Sequence, residues 1–171
     1  MRDKDKLVGT SRLAVKTGLI VNRLFLAAVT VGFALSWIFS TQLAEMLIPH
    51  GPDTKSEIVG LRLEMLMGMA MAVAIDRLFA ALAQIIETVR EGDPFIHANA
   101  RRLQSIGWAL VVLQLMSIPD ILIDKYFPSL GAAAPGFDFS AGGWLAVLMV
   151  FVLSRVFSAG SAMRDELEGT I

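Results

Sequence analysis

Apolar positions along this chain gather into four long blocks, separated by short charged or turn-forming stretches. The blocks are Leu19–Phe39, Met65–Ile86, Leu103–Ile123 and Phe139–Phe157. A hydrocarbon core of ~30 Å takes about 20 apolar residues in a helix, so each block predicts one membrane-spanning helix. The pattern predicts an all-α fold, a polytopic membrane protein with four transmembrane helices. Residues 1–171 form one domain, because no repeat, low-complexity segment or linker divides the chain.

The edges of the blocks add detail. Beyond Arg77, the residues Leu78, Phe79, Leu82, Ile85, Ile86 and Val89 recur at helical spacing, while Gln84, Glu87, Thr88 and Arg90 fall elsewhere. That spacing predicts an amphipathic helix. After Gly92, Asp93 is placed to cap a new helix and Pro94 to open it. Phe95, Ile96, Asn99, Leu103 and Ile106 share one of its faces. Past Arg155, a stripe of Val156, Phe157, Met163 and Leu167 follows. Three helices are therefore expected to continue out of the bilayer as amphipathic extensions. Their stripes need each other, the lipid interface or a partner. Pro119-Asp120 is expected to kink and end the third span, with Asp120 at the interface. Pro49-His50-Gly51-Pro52 reads as a turn, and Pro128, Gly131, Pro135 and Gly136 bar a long helix from the third connector.

Charge sets the orientation. Arg2, Lys4, Lys6, Arg12 and Lys16 precede the first span, Arg90, Arg101 and Arg102 lie in the second connector, and Arg155 and Arg164 in the tail. The third connector has only Lys125. The positive-inside rule then places both termini in the cytoplasm. The basic start followed by an apolar run mimics a signal peptide, but the run is too long and no small-x-small cleavage site follows Phe39. The first helix is read as an uncleaved span.

Composition excludes several chemistries. There is no cysteine, hence no disulfide, thiolate metal site or cysteine nucleophile. His50 and His97 lie outside the apolar blocks and make no multi-histidine metal centre. Lys plus Arg is 15 and Asp plus Glu is 16, for a net charge of −1; nothing points to direct nucleic-acid binding. With no nucleophile or metal cluster inside the bilayer, no enzyme and no cofactor are expected.

Three groups of residues stand out. Asp76 and Arg77 interrupt the second block, and charges inside a span are costly and often functional. Neighbours on a helix point about 100° apart, so Asp76 is expected to meet Arg155 or Arg23 from another helix. The plainer reading puts Arg77 at the cytoplasmic interface. Met65, Met67, Met69 and Met71 make two i,i+4 thioether pairs; Cu(I) binding is the sharper reading, gap filling the favoured one. Gly68 with Ala72, and Ala28 with Gly32, fit small-xxx-small spacing for close helix approach.

The third group is carried by a resemblance. The connector Gly92-Asp93-Pro94-Phe95-Ile96-His97-Ala98-Asn99-Ala100-Arg101-Arg102-Leu103 and the tail from Val156 to Ile171 resemble a family of small bacterial four-helix membrane proteins defined only as a domain of unknown function. In that family a Gly-x-Pro-Phe-x3-Asn-x2-Arg-Leu segment joins helices two and three. A Glu-x-Thr-Ile or Glu-x-Thr-Val tail ends the chain. The resemblance implies a bacterial plasma-membrane protein. It also implies a regulatory partner, because members are often encoded beside a small helix-turn-helix regulator; no catalytic residues follow from it. It directs attention to Gly92, Pro94, Phe95, Asn99, Arg102, Phe157, Gly160, Glu168 and Thr170 as a structural or partner-docking motif. The tail face of Phe157, Gly160, Met163 and Leu167 is expected to pack on Phe95, Asn99 and Leu103. Gly160 would permit close approach, and Asn99 would bond backbone or Thr170. The expected function is non-catalytic: a membrane-embedded regulatory or docking protein, with the bilayer, a cytoplasmic regulator and a second copy as candidate partners. The alternative is a small ion- or proton-coupled transporter or channel using Asp76 and Arg77.

Overall fold

A computed structural model describes residues 2–40, 42, 54–127 and 140–168. Five α-helices organise them: α1 (Arg2–Ile38), α2 (Thr54–Arg90), α3 (His97–Leu115), α4 (Ser117–Tyr126) and α5 (Ala141–Glu168). Four stretches are long and apolar enough to cross a membrane: Gly9–Ile38, Ile58–Arg90, His97–Ile123 and Ala141–Leu167. Each contains most of one predicted block, and each runs beyond it. The segment from Thr54 to Glu64, which precedes the second apolar block, is the first part of α2. The Pro49–Pro52 turn and the prolines of the third connector lie outside the described residues.

The helices form an open row. α2 lies against α1 on one side and α3 on the other, and α3 lies against α5. Among the described residues, α1 contacts neither α3 nor α5, and α2 does not contact α5. Small residues receive large side chains at these contacts. A Cβ added to Gly18 would stand 2.9 Å from the Phe79 ring, and one on Gly107 would stand 2.9 Å from Phe151. These glycines are sockets for aromatic rings, the close packing that holds helices together when lipid is as apolar as leucine. Gly32 and Gly68 are looser sockets, for Met65 and Phe25. Met67 is buried against Ile123, and the Met69 sulfur accepts a 3.5 Å hydrogen bond from Thr30.

Hydroxyls in the row are satisfied locally. Thr30, Ser36, Thr88, Ser117 and Ser161 each donate to a carbonyl oxygen three or four residues back, which for Ser117 is the Gln114 carbonyl in the last turn of α3. A polar group in hydrocarbon has no water to turn to. Pro119 does not end the third span as expected. The helix breaks earlier, at Met116, and Pro119 falls in the first turn of α4, where its missing N–H is no loss. The helix then continues to Tyr126, and Asp120 is buried among its neighbours.

Candidate functional site

The start of α1, the end of α2, the start of α3 and the end of α5 meet at one end of the row. Arg12 of α1 approaches Glu87 of α2 at 3.6 Å. There the chain must stop one long helix and start another within six residues. Gly92 ends α2 in the left-handed region, at φ +85°. Its N–H donates to the Val89 oxygen (3.2 Å), and the Asp93 N–H donates to the Thr88 oxygen (3.0 Å). This paired bond across a left-handed residue is a Schellman stop, which glycine adopts without the Cβ penalty.

The expected cap is not formed. Ile96 occupies the N-cap position of α3 and provides no side-chain bond; Asp93 and Pro94 lie in the extended run before it. Asp93 is instead paired with Arg164 of α5. The Schellman stop directs Asp93 away from α3, so its carboxylate serves a neighbour.

Asn99 organises the turn. It is 0% exposed. Its amide donates to the Thr88 hydroxyl (2.7 Å) and to the Pro94 carbonyl (2.8 Å), and its oxygen accepts from Arg102 (2.7 Å). Arg102 also donates to the side-chain oxygen of Gln84 (2.9 Å). Both donors and one acceptor lone pair of the amide are used. Asn99 therefore bonds the turn itself, and neither caps the tail helix nor faces a partner. Thr170 lies outside the described residues, as does the Glu168 side chain.

The tail packs on this turn by half of its expected face. Phe157 stacks on Phe95 with ring centroids 5.1 Å apart. A Cβ on Gly160 would come within 3.1 Å of the Phe95 ring, so a larger residue there would push that ring by a few tenths of an ångström. Met163 and Leu167, however, are 61% and 72% exposed. The inward positions belong to Ser161 and Arg164, because the contact face follows 157, 160, 161 and 164 around the helix.

One constellation was not foreseen. His97 bridges two residues of α5: its Nδ1 is 3.0 Å from the Ser161 hydroxyl and its Nε2 is 3.0 Å from the Asp165 carboxylate. Serine, histidine and aspartate in a chain suggest acyl transfer. The Ser161 hydroxyl is 1% exposed and within 3.0 Å of the Ser158 carbonyl, so no substrate carbonyl reaches it in this conformation. The arrangement ties α3 to α5. Ser161 and Asp165, four residues apart on the face opposite Met163, are the sequence signal that could have revealed it.

The charges around Asp76 are split. Asp76 pairs with Arg23 at 2.8 Å, not with Arg155. Beside it, the Asn22 amide donates to the Ala72 carbonyl at 2.8 Å, so the α1–α2 hairpin carries two polar clamps one helical turn apart. Arg155 lies in a cleft between α3 and α5, and Arg77 in one between α2 and α3. At the other end of the row, Arg62 donates to the Ser36 carbonyl (2.8 Å) and lies 4.0 Å from the centre of the Trp37 ring. The guanidinium over the ring face is a cation–π contact. No group of three or more histidine, cysteine or acidic side chains that could hold a metal occurs among the described residues.

The profile of DUF2975, described as a protein of unknown function, matches residues 25–171. The chain belongs to this family. The match takes in α2 to α5 and the last part of α1, and includes both the α2–α3 turn and the α5 tail. No curated protein and no solved structure matches the chain.

Proposed function

We propose that this DUF2975 chain is a non-catalytic integral protein of the bacterial plasma membrane that docks a cytoplasmic protein on the α2–α3 turn and the end of α5. Both termini are cytoplasmic in this reading, which the clustering of Lys and Arg at that end of the row supports. The observation that carries it is the unused apolar face of the tail. Met163 and Leu167 are among the most exposed apolar side chains of α5. They stand eight and twelve residues past Arg155, about 12 and 18 Å along the helix axis. If Arg155 marks the headgroup level, that face stands beyond the lipid. Asp93–Arg164, His97–Asp165 and Phe95–Phe157 hold the tail in place, so a partner would meet a pre-ordered surface.

The partner suggested by the family resemblance is a small helix-turn-helix regulator encoded beside the gene, held at the membrane and released by a stimulus. The test is co-purification of that regulator from native membranes with wild-type chain and with Met163→Glu/Leu167→Glu. The wild type should retain it, and the double variant should lose it while staying in the membrane fraction. Equal retention by both would overturn the docking face. The transporter reading has less support, since Asp76 is committed to Arg23 rather than lining a polar path.

A further inference from the structure

Among the described residues, three arginines have neither a counter-charge nor a hydrogen-bond partner. Arg12, Arg23, Arg90 and Arg164 are ion-paired, and Arg62 and Arg102 are hydrogen-bonded. Among the described residues, Arg77, Arg101 and Arg155 make neither an ion pair nor a hydrogen bond. They are not scattered. Arg101 lines two clefts at once, one on each side of α3. Between α3 and α5 it faces Arg155 across a cleft of about 490 Å³ whose polar wall includes His97, Gln104 and Ser158. Between α2 and α3 it shares a second cleft of about 450 Å³ with Arg77, Gln84 and Arg102. No acidic side chain lines either. A guanidinium is always charged and presents a planar fork of donors suited to phosphate; two of them across one cleft call for an anion.

The surroundings say what carries that anion. The floor of the α3–α5 cleft is closed by direct helix contact, with the Ser154 hydroxyl donating to the Ala100 carbonyl at 2.9 Å. Immediately past the arginines the wall turns apolar. Phe151 lies in the cleft and meets Trp108 edge-on at 5.6 Å. Leu145, Leu148, Met149 and Val152 of α5 and Val112 and Leu115 of α3 are exposed beyond it. A ligand seated here therefore has a phosphate at one end and hydrocarbon at the other.

We propose that the α3–α5 cleft binds the phosphate of an anionic phospholipid between Arg101 and Arg155, with its acyl chains along the exposed side of α3 and α5. The ligand chemistry is a phosphate diester, and the source is a lipid of the leaflet on the side of the α2–α3 turn. The inference rests on the membrane reading above but not on the docking of a regulator.

The experiment is native mass spectrometry of the detergent-purified chain, titrated with phosphatidylglycerol, phosphatidylcholine or glycerol phosphate. Wild-type chain should retain phosphatidylglycerol in preference to phosphatidylcholine. Arg101→Gln and Arg155→Gln should each weaken that retention about fivefold, and the pair ~25-fold. Arg101→Lys/Arg155→Lys, which keeps both charges, should retain most of it and covers the case in which the glutamine pair does not fold. Retention unchanged in the glutamine pair, or equal for the two lipids, would overturn the site. Full competition by glycerol phosphate would overturn the lipid and assign a soluble phosphate. Membrane fractionation of the same variants separates the outcomes: a wild-type chain absent from membranes refutes the membrane reading itself, whereas an inserted chain with no lipid preference refutes only this cleft.

Discussion

Asn99 shows how a single polar side chain can be both conspicuous in sequence and misjudged from it. Its place on an apolar face beside Phe95 and Leu103 was legible, and so was the need for a partner. Which partner was not, because the answer lies in the shape of the turn. Only once Gly92 closes α2 with a left-handed residue do the Pro94 carbonyl and the Thr88 hydroxyl converge on the same amide. Asp93 was misread for the same reason: an Asp-Pro pair before a helix resembles a cap, yet the Schellman stop turns the carboxylate toward Arg164. The Asp76 pairing was half legible, with Arg23 and Arg155 both open and only Arg23 within reach. At this scale the expected outcome is sharp. Asn99→Ala leaves a buried hydroxyl, a carbonyl and a guanidinium each short of one partner, and should destabilise the fold by about 2–3 kcal/mol. Asn99→Asp should do no better, since a carboxylate places an acceptor against the Pro94 oxygen. Thermal melting in detergent, with hydrogen exchange at Gly92–Ile96, checks both; wild-type melting of Asn99→Ala would mean the network is not holding the turn.

The long helices read well because helical spacing survives across their charged interruptions, as in Leu78 to Val89 past Arg77. Their ends read poorly. α2 begins eleven residues before its apolar block because Thr54–Glu64 is amphipathic rather than apolar. Pro119 looked like an ending but sits in a first turn, where proline is harmless. The tail face was right at Phe157 and Gly160 and wrong at Met163 and Leu167, because helix pairs cross at an angle and contact drifts from one stripe to the next. This decides what a truncation should do. Ser161, Arg164 and Asp165 bond α5 to the turn. Removing residues 168–171 should leave hydrogen-exchange protection of Phe95–Arg102 nearly intact, whereas removing 161–171 should lower it severalfold without preventing membrane insertion. Strong deprotection by the shorter deletion would place the support beyond Asp165.

At the scale of the whole molecule, the count of apolar spans was legible and their order in space was not. Four apolar blocks are equally compatible with a closed bundle and with a row, since either buries part of each helix and leaves the rest to lipid. The choice was made by particular residues. The Phe79, Phe151 and Phe95 rings each enter a glycine socket on a chain neighbour, at Gly18, Gly107 and Gly160, and no such lock links α1 to α5. Because the chain has no cysteine, engineered pairs give a clean test. Cysteines at Ala100 and Ser154 should crosslink within one chain, and cysteines at Leu24 and Val152 should not. An intramolecular Leu24–Val152 crosslink would demand a closed bundle, whereas one between chains would assign the outer helices to self-association. A row in which every long helix rests on the long helix before it also has a history written into it. Its contacts are local in sequence, so each hairpin can settle as soon as its second helix leaves the insertion machinery, without waiting for the C-terminus. The same order runs backwards under load. Pulled from either end, such a protein should come out of the bilayer helix by helix in steps, rather than yield all at once.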